Sequence, residues 1–176
     1  MIVIDAVDSP VGRLTLCDRG ERLCMLHFGE DGASIDQTLE RWYPGEPRAR
    51  RPLRERREML TRYFAGELGA IESVAVELNG TEFQKRVWQA LRRIPAGSTL
   101  SYAELARRIG ERPAVRAVGA ANGANPVAIV VPCHRVIGSD GTLTGYGGGL
   151  DRKRWLLDHE GAPWKHGTAV APMLPW

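Results

Sequence analysis

At Thr81 the hydrophobic pattern of this chain changes period, and that change limits the available folds more than any other feature. Upstream, "IVIDAV", "GRLTLC" and "RLCMLHF" are short β-prone runs separated by the turn-rich "DSPVG" and "DRGE", which predicts a β-meander. The charged, proline-containing stretch "RWYPGEPRARRPLRERR" follows and is expected to include an exposed loop. "LRERREMLTRYFAGE" reads as a helix with Leu53, Leu60 and Phe64 on one side and Gly66 near its end. "IESVAVEL" reads as one more alternating strand. Together these predict a small α/β unit ending near Asn79 and Gly80.

Downstream the pattern is that of closely spaced helices. "TEFQKRVWQALRRIP" opens with Thr81 and Gln84 in capping-box spacing and carries Phe83, Val87, Leu91 and Ile94 along one face. "SYAELARRIG" repeats the device with Ser101 and Glu104 and stops at Gly110. Pro113 suits a first helical turn, and "PAVRAVGAANG" runs from it to Gly123. Two short helices joined by a tight turn make a helix-turn-helix candidate, with an ordinary packed helical hairpin as the alternative. The second helix is built almost wholly of Ala, Val and Gly, with Arg116 and Asn122 as its polar residues. It lacks the long polar readers of a recognition helix, so in a DNA groove it would serve shape and not sequence.

"NPVAIVVP" predicts a short buried strand ended by Pro132, and "IGSDGTLTGYGGG" a hairpin or wing. "DRKRWLLDHEG" predicts a last helix with Asp151 as N-cap and Gly161 as stop. The tail from 162 to 176 has no period and no assignable role.

Charge divides along the same line. Residues 1–80 hold 11 Lys/Arg against 14 Asp/Glu, a net −3, whereas residues 81–160 hold 12 against 7, a net +5. A basic second half suits a polyanionic partner, although a merely solvated surface reads the same way. No apolar run approaches the roughly 20 residues of a membrane span, and the N-terminus lacks the regions of a signal peptide. Three cysteines, few and odd in number, argue against a disulfide scaffold and for a reducing compartment, the cytoplasm. Cys24 and His27 have a ligand-like gap with Cys17 on a neighbouring strand, but no fourth ligand accompanies them, so no metal site is expected.

The remaining cysteine, Cys133, stands in "VVPCHRV" between a proline and a histidine–arginine pair. A thiol near pKa 8.5 needs a base or a positive neighbour to react at neutral pH. His134 and Arg135 are adjacent, but successive strand residues face opposite ways, so Cys133 and His134 would not meet on a strand. Pro132 ends the strand and lets the chain turn, with a water expected between imidazole and sulfur. A histidine acting as base needs its other nitrogen held by an acceptor, and Glu160 is the best source. A Cys–water–His–Glu relay follows, with a buried core cysteine as the bland alternative.

"PCHRV", preceded by "RAVGAANGANP" and followed by "TGYGGG" and "KRWLLDHEG", resembles the O6-alkylguanine-DNA alkyltransferase family, or methylated-DNA–protein-cysteine methyltransferases. The match runs from Thr81 to Gly161, and "DSPVGRLTL" resembles the family's N-terminal domain. The resemblance implies an N-terminal ribonuclease-H-like α/β domain over 1–80 and a C-terminal winged helix-turn-helix domain over 81–161. It implies double-stranded DNA carrying O6-alkylguanine as partner, bound through the minor groove with the damaged nucleotide flipped out, and O4-alkylthymine as a possible second lesion. It implies a stoichiometric transfer to protein without cofactor, by a monomer whose cooperativity on DNA is left open. Cys133 matches the acceptor, His134 and Glu160 the activating relay, Asn125 the brace of the active-site turn, and Tyr102 the tyrosine that assists guanine departure. Arg116 matches the arginine that fills the vacated stack, with Ala121, Asn122, Gly123 and Arg135 as further DNA-binding positions. Val136, Ser139, Tyr146, Gly147 and Gly148 match the substrate pocket.

Three positions depart from the family pattern: Gly147 stands where many relatives carry a serine, Gly123 where some have an arginine and Ala128 where some have a second proline. None touches the acceptor. A non-catalytic lesion-binding relative would replace Cys133, typically with tryptophan. A transcription factor would need base readers, and a cysteine hydrolase would turn over repeatedly.

Overall fold

A computed structural model of the chain describes residues 1–30 and 32–165. It divides into two compact units, Met1–Asn79 with Pro126–Ala128, and Gly80–Asn125 with the chain from Ile129 onward. The tail beyond 165 lies outside the described residues.

In the first unit β1 (Ile2–Val7), β2 (Leu14–Arg19) and β3 (Arg22–Phe28) form the expected meander, each antiparallel to the next. β4 (Arg48–Arg50) joins β1 in parallel, giving the order β3-β2-β1-β4. This strand falls inside the stretch expected to be a loop, because backbone pairing at an edge asks little of its arginine side chains. α1 (Gly32–Trp42) precedes it, a helix the sequence pattern hid. Ile35 and Leu39, one turn apart, are its buried residues and pack with Ile2, Ile4, Cys17, Cys24, Met25 and Tyr43.

α2 (Arg54–Phe64) forms as expected but is rotated about its axis. Met59, Leu60 and Tyr63 are buried, whereas Leu53 and Phe64 are only partly covered. The buried Asp5 carboxylate explains the phase: it accepts from Arg57 Nε at 2.7 Å and from the Leu53 amide at 2.9 Å, tying the start of the helix to β1. The expected strand at 71–78 shrinks to one bridge, Val76 to Leu23, after a 3₁₀ turn at Leu68–Ile71. The outer edge of β3 is shared, with Leu26 pairing to Val127, so neither partner extends into a strand. The expected strand at 125–132 is likewise one bridge followed by turns, because Ile129 adopts φ +68° directly after it. Its burial is as the apolar run predicts.

In the second unit α3 (Glu82–Leu91) begins with the full reciprocal capping box of Thr81 and Gln84. Val87, Trp88 and Leu91 are buried, and Trp88 Nε1 donates to the Ala121 carbonyl at 2.8 Å, joining α3 to α5. Gly80 is required there, since a Cβ at that position would stand 2.4 Å from the Trp88 ring. α4 (Tyr102–Arg108) starts on Ser101, whose side chain accepts from the Glu104 amide. A 3₁₀ turn at Arg112–Ala114 then leads into α5 (Val115–Gly123), so Pro113 opens the approach and not the α-helix itself.

β5 (Leu100–Ser101) pairs in parallel with β6 (Val136–Ile137). After β6 the glycine-rich stretch closes as a turn, with the Gly138 amide on Thr142 O, and not as a two-stranded hairpin. α6 (Leu150–His159) is capped by Gly149 at φ +91°, one position before the helix and two before Asp151. Asp151 lies in the first turn and pairs with Arg154.

Replacing Thr81 by Ala removes one half of the capping box and leaves the Gln84 amide without its side-chain acceptor. Urea unfolding is expected to show a loss of about 1 kcal/mol with an unchanged m-value.

Candidate active site

Pro132 ends the buried run, and Cys133–Arg135 form a 3₁₀ turn directly after it. The turn removes the strand objection, since consecutive side chains no longer point to opposite faces. Cys133 is 5% exposed. Its Sγ accepts from Asn125 Nδ2 at 3.1 Å, and the same amide donates to Val131 O at 2.7 Å. Asn122 Nδ2 reaches the Cys133 carbonyl at 3.4 Å. The end of α5 and the residues after it therefore hold the acceptor through two asparagines. Burial pushes the Cys133 thiol up, against the hydrogen bonds of Asn125 and Tyr146 and the nearby charge of Lys153. A thiol in that setting is neutral at rest and depends on a base to react.

The adjacent imidazole is that of His134. It is fully buried, and its Nε2 lies 3.0 Å from Glu160 Oε1. Burial pushes the imidazole down, so it too is neutral. Burial alone would raise the Glu160 carboxyl, but the hydrogen bonds of Arg135 and His134 hold it well below the usual carboxylate range. An ionised Glu160 can only accept, so the proton sits on Nε2 and Nδ1 carries the lone pair. Nδ1 is buried with no hydrogen-bond partner among the described residues. The lone pair on Nδ1 is thus left unused by the described residues.

Arg135 corrects an expectation. Instead of meeting DNA it is 3% exposed and forks onto Glu160, with Nε and Nη2 each at 2.8 Å, while Nη1 donates to Ile94 O at 2.6 Å. Its charge neutralises Glu160 and fixes the carboxylate for His134.

Tyr102, the first residue of α4, donates its hydroxyl to Thr144 O at 3.3 Å. A further partner of Tyr102 was missed in the sequence. Lys153 is fully buried, and Nζ donates to Thr144 O at 3.1 Å, Gly145 O at 3.3 Å and Tyr102 Oη at 3.5 Å. Burial pushes it down to about 8. A signal was present: Lys153, Leu156 and Leu157 follow the i, i+3, i+4 spacing of the buried stripe of α6.

On α5, Arg116, Ala117, Ala120 and Gly123 are exposed and share one slim face. Ala121 and Asn122, expected with them, are each 3% exposed and turn inward, because Val118, Ala121 and Asn122 form the buried side. Val136 is buried at the start of β6, and Tyr146 is half-buried with Lys153 Nζ 5.8 Å from its ring centre. Gly147 abuts the end of α5, where a Cβ would lie 3.7 Å from Gly123 O. Gly148 offers its carbonyl to Arg152. Ser139 is exposed on the turn after β6, and no hydrogen bond joins it to Cys133 among the described residues.

Residues 82–162 match the family model for the 6-O-methylguanine DNA methyltransferase DNA-binding domain, and residues 2–78 that for its ribonuclease-like domain. A methylated-DNA–protein-cysteine methyltransferase of Mycolicibacterium paratuberculosis is 52% identical over 157 residues, covering 89% of this chain and 91% of the relative. One from Salmonella typhimurium is 46% identical, covering 89% and 94%. The crystal structure of Mycobacterium tuberculosis OGT in complex with DNA superposes with a TM-score of 0.76 at 45% identity, covering 92% of this chain and 95% of that one. The O6-methylguanine-DNA methyltransferase of the archaeon Pyrococcus kodakaraensis gives 0.70 at 26% identity, covering 92% and 100%.

Replacing Glu160 by Gln leaves Arg135 buried without its counter-charge, which is expected to cost about 3–5 kcal/mol in thermal or urea unfolding. Since the folded carboxyl is held down, its contribution is complete above the unfolded value of about 4.3 and is lost only as pH falls through the depressed folded value. The gap between wild type and Glu160→Gln should therefore be constant from pH 5 to 7 and close in strong acid.

Proposed function

This chain belongs to the 6-O-methylguanine DNA methyltransferase family, and on that premise we propose that it repairs DNA directly, moving the alkyl group of O6-alkylguanine irreversibly onto Cys133. The ribonuclease-like domain precedes the winged helix-turn-helix domain, and the chemistry belongs to the second. The domains are assigned to 1–80 and 81–161, with 162–176 as tail.

The observation that carries the reading is the arrangement at Cys133: a buried thiol on an asparagine, beside a neutral histidine whose far nitrogen is fixed by an ionised glutamate. His134 takes the thiol proton through a water at Nδ1. The sulfur attacks the alkyl carbon, the S–C bond forms as the O–C bond breaks, and guanine leaves after taking a proton from Tyr102. The resulting thioether does not hydrolyse, so each molecule acts once and no cofactor enters the balance.

A base inside the stack is out of reach of a buried thiol, so the nucleotide is flipped out at a cost of a few kcal/mol. The slim face of α5 suits the minor groove, and Arg116 at its start fills the space left in the stack. Gly123 lies on the same face, and Arg135 has no part in it. The flipped base meets the backbone of Cys133 and Val136, with Tyr146, Gly147 and Gly148 around it and Ser139 at the rim. O4-alkylthymine is a second substrate on this reading. The protein works as a monomer in the cytoplasm, a reading supported by three free cysteines. No helix among the described residues is long and apolar enough to cross a membrane.

Incubation with a duplex oligonucleotide containing O6-methylguanine should add one methyl to the protein, located by peptide mass at Cys133 and absent in Cys133→Ser. Unmodified wild-type protein that still binds the lesion would make it a lesion-binding protein instead. Arg116→Ala should slow repair of duplex DNA by about tenfold or more while sparing reaction with free O6-methylguanine base. Equal losses would remove Arg116 from the flipping step.

A further inference from the structure

The chain does not leave the second unit where α6 ends. The Gly161 amide closes on Asp158 O at 3.0 Å and the Ala162 amide on Leu157 O at 2.9 Å, turning the chain back toward the helix. Ala162 is buried with Ile137 of β6 and Leu157 of α6, and Leu143 and Trp164 pack on that cluster. Trp164 Nε1 donates to Asp158 Oδ1 at 2.8 Å. Pro163 O accepts from Thr99 Oγ1, just before β5, at 2.9 Å. The Lys165 amide donates to Gly141 O at 2.7 Å, and a Cβ on Gly141 would stand 3.6 Å from Lys165 Cβ. Four residues thus fasten together the end of α6, the β5–β6 pair and the turn after β6.

That turn needs support from outside. Residues 138–149 hold six glycines and no helix or strand, and glycine loses more backbone freedom than any other residue when it is fixed. At its start the segment bonds locally, with Gly138 N on Thr142 O, Gly141 N on Gly138 O, and the Thr142 amide and hydroxyl on Asp140 Oδ1. These bonds shape the turn without fixing where it stands. The Lys165 amide and the cluster that Leu143 shares with Trp164 supply that position.

We propose that residues 163–165 form a strap, with Trp164 as its positioning residue, that sets the glycine-rich wall of the alkylguanine pocket at its working distance from Cys133. The proposal rests on the alkyltransferase reading and deepens it. On that reading Ser139 stands at the rim and Tyr146, Gly147 and Gly148 surround the flipped base, all on the segment the strap fastens. The thiol is held separately, by Asn125 and the 3₁₀ turn. Loosening the strap therefore displaces the wall against which the base rests and leaves the nucleophile in place. A shift of about 1 Å between reacting groups can cost about a hundredfold in rate.

Trp164→Ala, Trp164→Phe and Thr99→Val should be compared with wild type, each below the temperature at which the variant unfolds. Single-turnover methyl transfer from an O6-methylguanine duplex is measured over a range of DNA concentrations, beside iodoacetamide labelling of Cys133 followed by peptide mass. Iodoacetamide is small and makes no use of the wall, so it reports the thiol alone. Trp164→Ala is expected to lower the maximal transfer rate by at least about tenfold, while half-saturating DNA and labelling each change by less than about threefold. Trp164→Phe keeps a ring on the cluster and should stay within about twofold of wild type. Thr99→Val removes one fastening at constant shape and should slow transfer by about threefold, with no further loss when added to Trp164→Ala. Amide exchange at Gly138 and Gly141 should quicken by about tenfold or more in Trp164→Ala, with the amides of α3 unchanged. Wild-type transfer in Trp164→Ala, equal losses in transfer and labelling, or unchanged exchange at Gly138 and Gly141 would overturn the proposal. Should Trp164→Ala fail to fold, Thr99→Val decides, and wild-type transfer in it would be equally fatal to the strap. A wild-type protein that transfers no methyl overturns instead the function on which the proposal rests.

Discussion

The buried carboxylate of Glu160 is the interaction on which the second unit depends. It is the C-cap residue of α6, and it takes both arms of Arg135 and the Nε2 proton of His134. Arg135 in turn closes on Ile94 O, just past the end of α3. One acceptor thereby joins α6, the turn bearing Cys133 and the end of α3. Removing the charge of Glu160 or of Arg135 leaves the other ion buried and uncompensated, so the two hold each other in place. Rigidity has a chemical consequence, because the tautomer of His134 follows from where Glu160 is held.

The second constraint is the difference among three buried thiols. Cys17 and Cys24 lie in the apolar core of the first unit, and burial pushes both up, Cys24 to about 12. Cys133 is as buried, but it faces an asparagine amide, a phenol and a buried ammonium, each of which favours thiolate. Burial alone thus does not separate a structural cysteine from a reactive one. The polar groups converging on the sulfur do, and they arrive from the residues just after α5, from the glycine-rich segment and from α6.

What the sequence reveals of this fold follows how local each determinant is. The Thr81–Gln84 box, the meander and the Gly110 stop are decided within a few residues, and all are legible. α1 is not, since it carries Ile35, Leu39 and little else as an apolar signal and draws its stability from the sheet it covers. Strands at 71–78 and 125–132 fail for a non-local reason, as both compete for the edge of β3. The same logic governs the site. The pairing of His134 with Glu160 was readable, but Arg135 reads as a solvent-facing cation until its partner 25 residues away is placed. Ala121 and Asn122 were misplaced because a helix of small residues has too weak an apolar moment to set its phase. Trp88 sets it, through the Ala121 carbonyl.

A nucleophile that is used once makes a demand that a recycling catalyst does not. Any reaction with an adventitious electrophile destroys the molecule, so a standing thiolate would be a liability. The site keeps its members neutral instead: the same burial that pushes the Cys133 thiol up pushes His134 down, so neither carries charge at rest. On the proposed mechanism the thiolate–imidazolium pair forms only once a substrate is bound, with the ionised Glu160 stabilising the imidazolium. The low exposure of the sulfur guards against the remaining chance encounters. Selectivity for the lesion thus comes from holding back reactivity as much as from recognising the base.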